Sequence, residues 1–232
     1  MRILIIHQNF PGQFSQLFPF LRLRGHELMA ICSHDRKLPP DIRAWRYKAP
    51  APPSIPMSSG QLLWYECLQR AASVAHICCK LQDSGWIPDR ILAHSGWGET
   101  LGISELWPDI PQIIWPELWT RPEHGGYGSD PLLPQPLFEH KIEQLGRNSM
   151  TRVALDQASA WVMPTLHQAH SLPDQYQTNK LHIIHEGIDT NVSHPNPNVS
   201  FSVRGVQIDR SVPVITFINR NLERLRGFDQ FM

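Results

Sequence analysis

The sequence predicts an α/β fold built on a doubly wound, mostly parallel sheet, and three observations carry that prediction. Short unbroken runs of branched apolar residues recur along the chain, as strands covered on both faces require. Between them lie stretches whose apolar residues return every three or four positions, the spacing of helices packed on a sheet. The two kinds alternate from Arg2 to His185, the rhythm of strand–helix–strand units.

Taken in order, Arg2 to His7 reads as the first strand and turns at Pro11-Gly12. Phe14, Leu17, Phe18 and Leu21 then line one face of a helix over 13–24, which Gly25 ends in a left-handed stop. Glu27 to Ser33 forms the second parallel strand, with a right-handed crossover expected. Six prolines between Pro39 and Pro56 leave room only for a short strand, Ala44 to Lys48. Ser58 with Gln61 makes a capping box, and Leu63, Cys67, Ala71, Val74, Cys78 and Leu81 trace a long helix to Gly85. Asp89 to His94 is the next strand, Gly98 to Leu106 a short helix, and Gln112 to Trp115 another strand. A loop over Pro116 to Pro136 interrupts the rhythm, and connections of roughly twenty residues are uncommon unless they serve function. The pattern resumes with a helix over 137–159, a strand from Ala160 to Met163, a helix over 166–176 and a strand from Lys180 to His185. Residues 1–190 are thus expected as one domain and 191–211, rich in Asn, Pro and Ser, as a linker. Residues 212–232 are expected as the start of a second domain, with a strand over Val212 to Ile218.

Composition narrows the function. Twenty-one basic residues balance 21 acidic ones, so no global field gathers phosphates, and no local basic patch replaces it: nucleic-acid binding is not expected. The apolar run Ile3 to Ile6 is far too short for a membrane span, so the chain is expected in the cytoplasm, with peripheral membrane contact left open. Four cysteines without a CxxC pair read as reduced thiols, mostly buried, and no metal site is expected. Neither G-x-G-x-x-G nor a P-loop is present, against a nicotinamide enzyme or an ATPase.

In an open parallel sheet, ligands bind at the carboxyl ends of strands. The loop from His7 through Gly12 to Gln13 leads into a helix N-terminus, which favours an anion or a sugar hydroxyl; alternatively His7 is a strand-end histidine bonded to backbone. In His94-Ser95-Gly96-Trp97-Gly98-Glu99-Thr100 two glycines around a tryptophan would let backbone approach a ligand closely, although Trp97 could be core and Glu99 a partner of a helix end. Glu117 sits between Trp115 and Trp119, aromatic faces of the kind that carry carbohydrate, or it is an ion-pair partner. His94 and Glu117 are the catalytic candidates.

The strings Ile6 to Phe14, His94 to Thr100, His185 to Thr190, and Asn219 to Glu223 through Arg226-Gly227-Phe228, in this order, resemble glycosyltransferase family 4, in particular a bacterial subgroup. The resemblance implies a Rossmann-like sheet that is the N-terminal half of a GT-B architecture. It further implies retaining transfer from a nucleotide-sugar, used as co-substrate with no cofactor, to a glycan, lipid or other acceptor. His7, Gly12, Trp97, Gly98 and Glu99 would then meet the acceptor, and Arg220 with Arg226, the latter in place of the family's lysine, the donor diphosphate. The family's E-x7-E carboxylates have no counterpart before Met232. We therefore expect a fragment or one half of a split gene, inactive alone, whose missing C-terminal domain is a partner. A non-catalytic sugar- or partner-binding module is the alternative, and a glycoside hydrolase using Glu99, Glu117 or Glu186 a weaker one.

Overall fold

The computed structural model describes residues 1–33, 38, 42–128, 130–209, 211 and 213–232. Pro39 and Pro40 of the proline-rich loop, and Val212 at the head of the expected last strand, lie outside the described residues.

Seven strands form one parallel sheet: β1 (Arg2–Ile6), β2 (Glu27–Ser33), β3 (Ala44–Tyr47), β4 (Arg90–His94), β5 (Gln112–Trp115), β6 (Ala160–Met163) and β7 (Leu181–Ile183). Their order is β3-β2-β1-β4-β5-β6-β7. Ile3 and Ile5 face one layer and Leu4 and Ile6 the other, as the two-residue period of a strand dictates, so β1 is apolar from Ile3 to Ile6. On one side Ile3, Ile5 and Ala30 pack with Phe10, Phe14 and Phe18 beneath α1 (Leu17–Leu23). On the other, Leu4, Ile6 and Ile91 meet Val74, Ile77, Cys78 and Leu81 of α2 (Ser59–Asp83), together with Ala154 and Leu155 of α4 (Phe138–Gln157). The capping box at the head of α2 is formed: Ser58 Oγ accepts from Gln61 N, and the Gln61 side chain accepts from Ser58 N. Cys32, Cys67 and Cys78 are buried free thiols, whereas Cys79 is exposed. Burial pushes the Cys78 thiol up to about 12.

The structure departs from the sequence reading in four places. The helix after β4 is one turn, α3 (Ile103–Leu106), because Gly98 and Gly102 take positive φ and hold the preceding residues in turns. The segment after β6 divides into α5 (Leu166–Ser171) and a 3-10 turn, Asp174–Tyr176, since Pro173 cannot continue the helix. The linker region contains a hairpin, β8 (Phe201–Val203) with antiparallel β9 (Val206–Ile208), whose two-residue turn Arg204-Gly205 has φ +50° and +81°. The expected strand over Val212 to Ile218 is absent among the described residues: Val214, Ile215 and Ile218 are exposed and no strand lies beside them to take their hydrogen bonds. A four-residue helix, α6 (Phe228–Phe231), follows.

The strand order positions the site. β1 pairs with β2 on one side and with β4 on the other, so the chain winds outward in both directions from β1 and β4. The loops leaving these two strands diverge and open a crevice at their carboxyl ends, the switch point at which doubly wound sheets hold ligands.

Candidate functional site

Two histidines stand at this switch point because each closes a central strand. His7 follows β1, its N–H donating to Ile31 O at 3.1 Å, and the residue is 5% exposed. Ring Nδ1 accepts from Asn9 N at 2.9 Å, so in the neutral ring Nε2 carries the hydrogen and donates to Gln13 Oε1. Gly12, at φ +46°, is required here: a Cβ would occupy the space of the His7 ring. His94, the last residue of β4, is 1% exposed, with its ring centroid 5.0 Å from that of His7. Gly96 leaves room for it, since a Cβ there would come within 2.9 Å of His94 Cε1.

Glu117 completes the cluster. His94 Nε2 lies 3.0 Å from Glu117 Oε1, a close contact without hydrogen-bond alignment, and Gln13 Nε2 donates to the same oxygen at 3.2 Å. The His94 imidazole, with smaller help from Gln13 and His7, holds the Glu117 carboxyl below the usual carboxylate range. The backbone is strained at this residue: Glu117 has φ +64°, and Leu118 N donates across it to Pro116 O at 2.9 Å, closing a three-residue turn. Gln168 of α5 fixes the turn by donating to Glu117 O at 3.0 Å. The strain falls at a residue whose side chain is half exposed. His7, Gln13, Glu117 and His94 thus form one continuous polar chain across the crevice.

The remaining predicted residues divide. Trp97 is partly buried and, with Gly96, Glu117, Leu118, Cys67 and Arg147, lines a cleft of about 190 Å³ beside this chain. Glu99 is fully buried, its Oε1 accepting from Tyr47 Oη at 2.9 Å and its Oε2 unpartnered; burial pushes its carboxyl well above the usual range. It therefore lies beneath the cleft surface. Gly98 is also a packing residue rather than a point of ligand approach: at φ +93°, its Cβ would lie 2.7 Å from the Cα and carbonyl oxygen of Cys67 on α2. Arg70, which stacks over Trp97 at 5.9 Å, pairs with Glu66 at 2.9 Å. Arg220 is exposed, and Arg226 is paired with Glu223 at 2.7 Å; no described contact brings either to the histidines. Sequence reasoning missed Gln13, Tyr47 and Gln168 as parts of the site. For Gln13 and Tyr47 the signal was available, since Gln13 lies in the connection leaving β1 and Tyr47 is the last residue of β3. Among the described residues no group of three or more His, Cys, Asp and Glu could hold a metal ion.

A family model described as a glycosyl transferase family 4 group matches residues 24–193. The chain belongs to that family. Its match spans β2 to β7 and so includes both His94 and Glu117. Among solved structures, a sucrose-phosphate synthase from Thermosynechococcus elongatus is similar to this family 4 chain at a TM-score of 0.50 and 11% identity, over 83% of this chain and 92% of that one. Os79 from O. sativa, in complex with UDP, is similar at a TM-score of 0.51 and 11% identity, over 78% of this chain and 50% of that one. The family 4 chain therefore spans about half the length of Os79, and the likeness is one of fold: a Rossmann-like domain of the GT-B kind. No curated protein matches it. Among the described residues, no helix is long and apolar enough to cross a membrane.

Proposed function

We propose that this chain supplies the acceptor-binding half of a retaining, nucleotide-sugar-dependent glycosyltransferase of the hexosyltransferase type. The observation that carries the reading is the polar chain His7–Gln13–Glu117–His94 at the switch point, with an ionised, half-exposed carboxylate at its centre. A carboxylate held by an imidazole and an amide keeps a free lone pair toward the cleft, where it accepts a hydrogen bond from an acceptor hydroxyl and orients its oxygen. His94, buried behind it, holds the negative charge in place, and Trp97 offers an aromatic face to a sugar ring. Glu99 with Tyr47 supports the loop that carries Trp97. The donor would be bound by a second domain facing this edge, with Arg220 and Arg226 at the start of that domain meeting the diphosphate, and no metal would be needed. UDP is the first nucleotide to test, given its presence on Os79.

Calorimetry tests the assignment. Simple glycosides should bind the wild-type chain and lose about tenfold or more in affinity with Glu117→Gln and with His94→Ala, the scale of a hydrogen bond to a charged group. UDP-, GDP- and ADP-sugars should bind no better than millimolar, about 4 kcal/mol. Micromolar binding of any of them would move the donor site onto this domain.

A further inference from the structure

The cleft at Glu117 carries charge of both signs. Arg147 of α4 lines it together with Glu117 and Trp97, and among the described residues it is the only lysine or arginine there. The two charges are not spent on each other. Glu117 Oε1 lies against His94, whereas Arg147 Nη2 is 3.8 Å from Oε1 of Glu143, one turn back on α4, a residue that lines a separate hollow between α2 and α4. That separation is beyond hydrogen-bond distance, so among the described residues the Arg147 guanidinium donates no hydrogen bond. Its side chain is 43% exposed, and its five donors keep the planar fork that matches an oxyanion.

The hydroxyls on the same lining call for the opposite partner. Thr120 Oγ1 gives its hydrogen to Asn148 Oδ1 at 2.9 Å and Thr151 Oγ1 gives its own to Arg147 O at 3.4 Å, so both are left as acceptors, as is the Glu117 carboxylate. A ligand suited to the cleft therefore carries hydroxyls and one anionic group. The volume of about 190 Å³ is below the roughly 300–1,000 Å³ of drug-sized sites, which suits one sugar ring rather than an extended chain. Charge selects the anion. A phosphate ester brings a charge of about −1.5 to −2 at pH 7 to a site where Glu117 and Glu143 already flank one arginine, while a carboxylate brings a single charge that Arg147 offsets. Resting on the acceptor reading of Glu117, we propose that the acceptor is a uronic acid, its carboxylate on Arg147 and a ring hydroxyl on Glu117. Arg147 is then the residue that sets acceptor specificity.

Calorimetry with the methyl glycosides of glucuronic, galacturonic and mannuronic acid, each paired with its neutral hexose counterpart, tests this. In at least one pair the wild-type chain should bind the uronoside about five- to tenfold more tightly, the scale of a partly exposed hydrogen bond to a charged group. Arg147→Met keeps the apolar stem and should bring the uronoside down to the level of the neutral glycoside, with circular dichroism unchanged, and Arg147→Lys should retain part of the preference. Glu117→Gln should weaken both members of the pair by a similar factor and keep their ratio. Equal wild-type affinities in every pair, or a preference that survives Arg147→Met, overturn the proposal and leave the acceptor reading standing. A preference lost with Arg147→Met beside binding indifferent to Glu117→Gln overturns the acceptor reading and the proposal with it, as does failure of all six glycosides to bind. Glucose 6-phosphate bound more tightly than every uronoside, and dependent on Arg147, overturns the proposal in favour of a phosphorylated acceptor.

Discussion

At the scale of single residues, the two site carboxylates respond to opposite pulls. Glu99 is buried against Tyr47 and its carboxyl is raised, so the stability it contributes is full below the ordinary carboxylate range and is lost as pH rises through its raised value. Glu117 is lowered by His94, so its contribution is present above the ordinary range and lost as pH falls. Glu99→Gln keeps an acceptor for Tyr47 without the charge. Urea unfolding should find it close to wild type at about pH 4 and increasingly the more stable of the two toward about pH 8. Growing wild-type advantage with pH would mean that Glu99 is ionised and held by Arg70. These roles were only half legible in the sequence. The strings around His7, His94 and Glu117 pointed to a candidate site through strand ends and aromatic neighbours, yet burial separates Glu99 from Glu117, and burial depends on how β3 and α2 close over the β4 loop. Gln168 was hidden for a similar reason: it reaches Glu117 across 51 positions of sequence.

At the scale of elements, short unbroken apolar runs alternating with stretches of period 3.6 located the sheet strands and long helices to within a few residues, because each had to bury apolar surface. Where no face is buried the pattern misled. Val214 to Ile218 is as branched as β1 but has no strand beside it among the described residues, while Phe201 to Ile208 looked polar yet pairs with itself around Arg204-Gly205. Glycines at positive φ separate two kinds of constraint. Gly25, at φ +78°, has nothing within 4 Å of its Cβ position, so Gly25→Ala should cost about 1–2 kcal/mol for the left-handed backbone alone. Gly98→Ala adds a clash with the α2 backbone and should cost about 2–4 kcal/mol. Chemical denaturation of the two variants measures the difference, and equal losses would mean that α2 can retreat from the β4 loop.

At the scale of the whole molecule, the long loop between β5 and α4 is tied to the last residues of the chain. Arg224 Nε and Nη2 donate to Asp130 Oδ2 and Oδ1, both at 2.6 Å, in a two-pronged pair, and Asp229 adds a contact to Arg224 at 3.6 Å. Nothing in the sequence marks this pair, since its members are 94 positions apart. Asp130→Asn should speed proteolytic cleavage within 213–232 several-fold while the unfolding midpoint of the sheet stays put. An unchanged cleavage rate would show that the tail is held by other contacts, such as the packing of Phe217 on Phe228 and Phe231.

The central place of β1 bears on how the chain is made. The ribosome releases β1 and β2 early, and their pairing can begin at once, but the other edge of β1 waits for β4, roughly 90 residues later. At about 5–20 residues per second that interval is on the order of 5–20 s. Throughout it, the most apolar strand of the protein shows an open row of amide and carbonyl groups to the cell. The strand that anchors the finished sheet is thus the one most exposed to mispairing during synthesis.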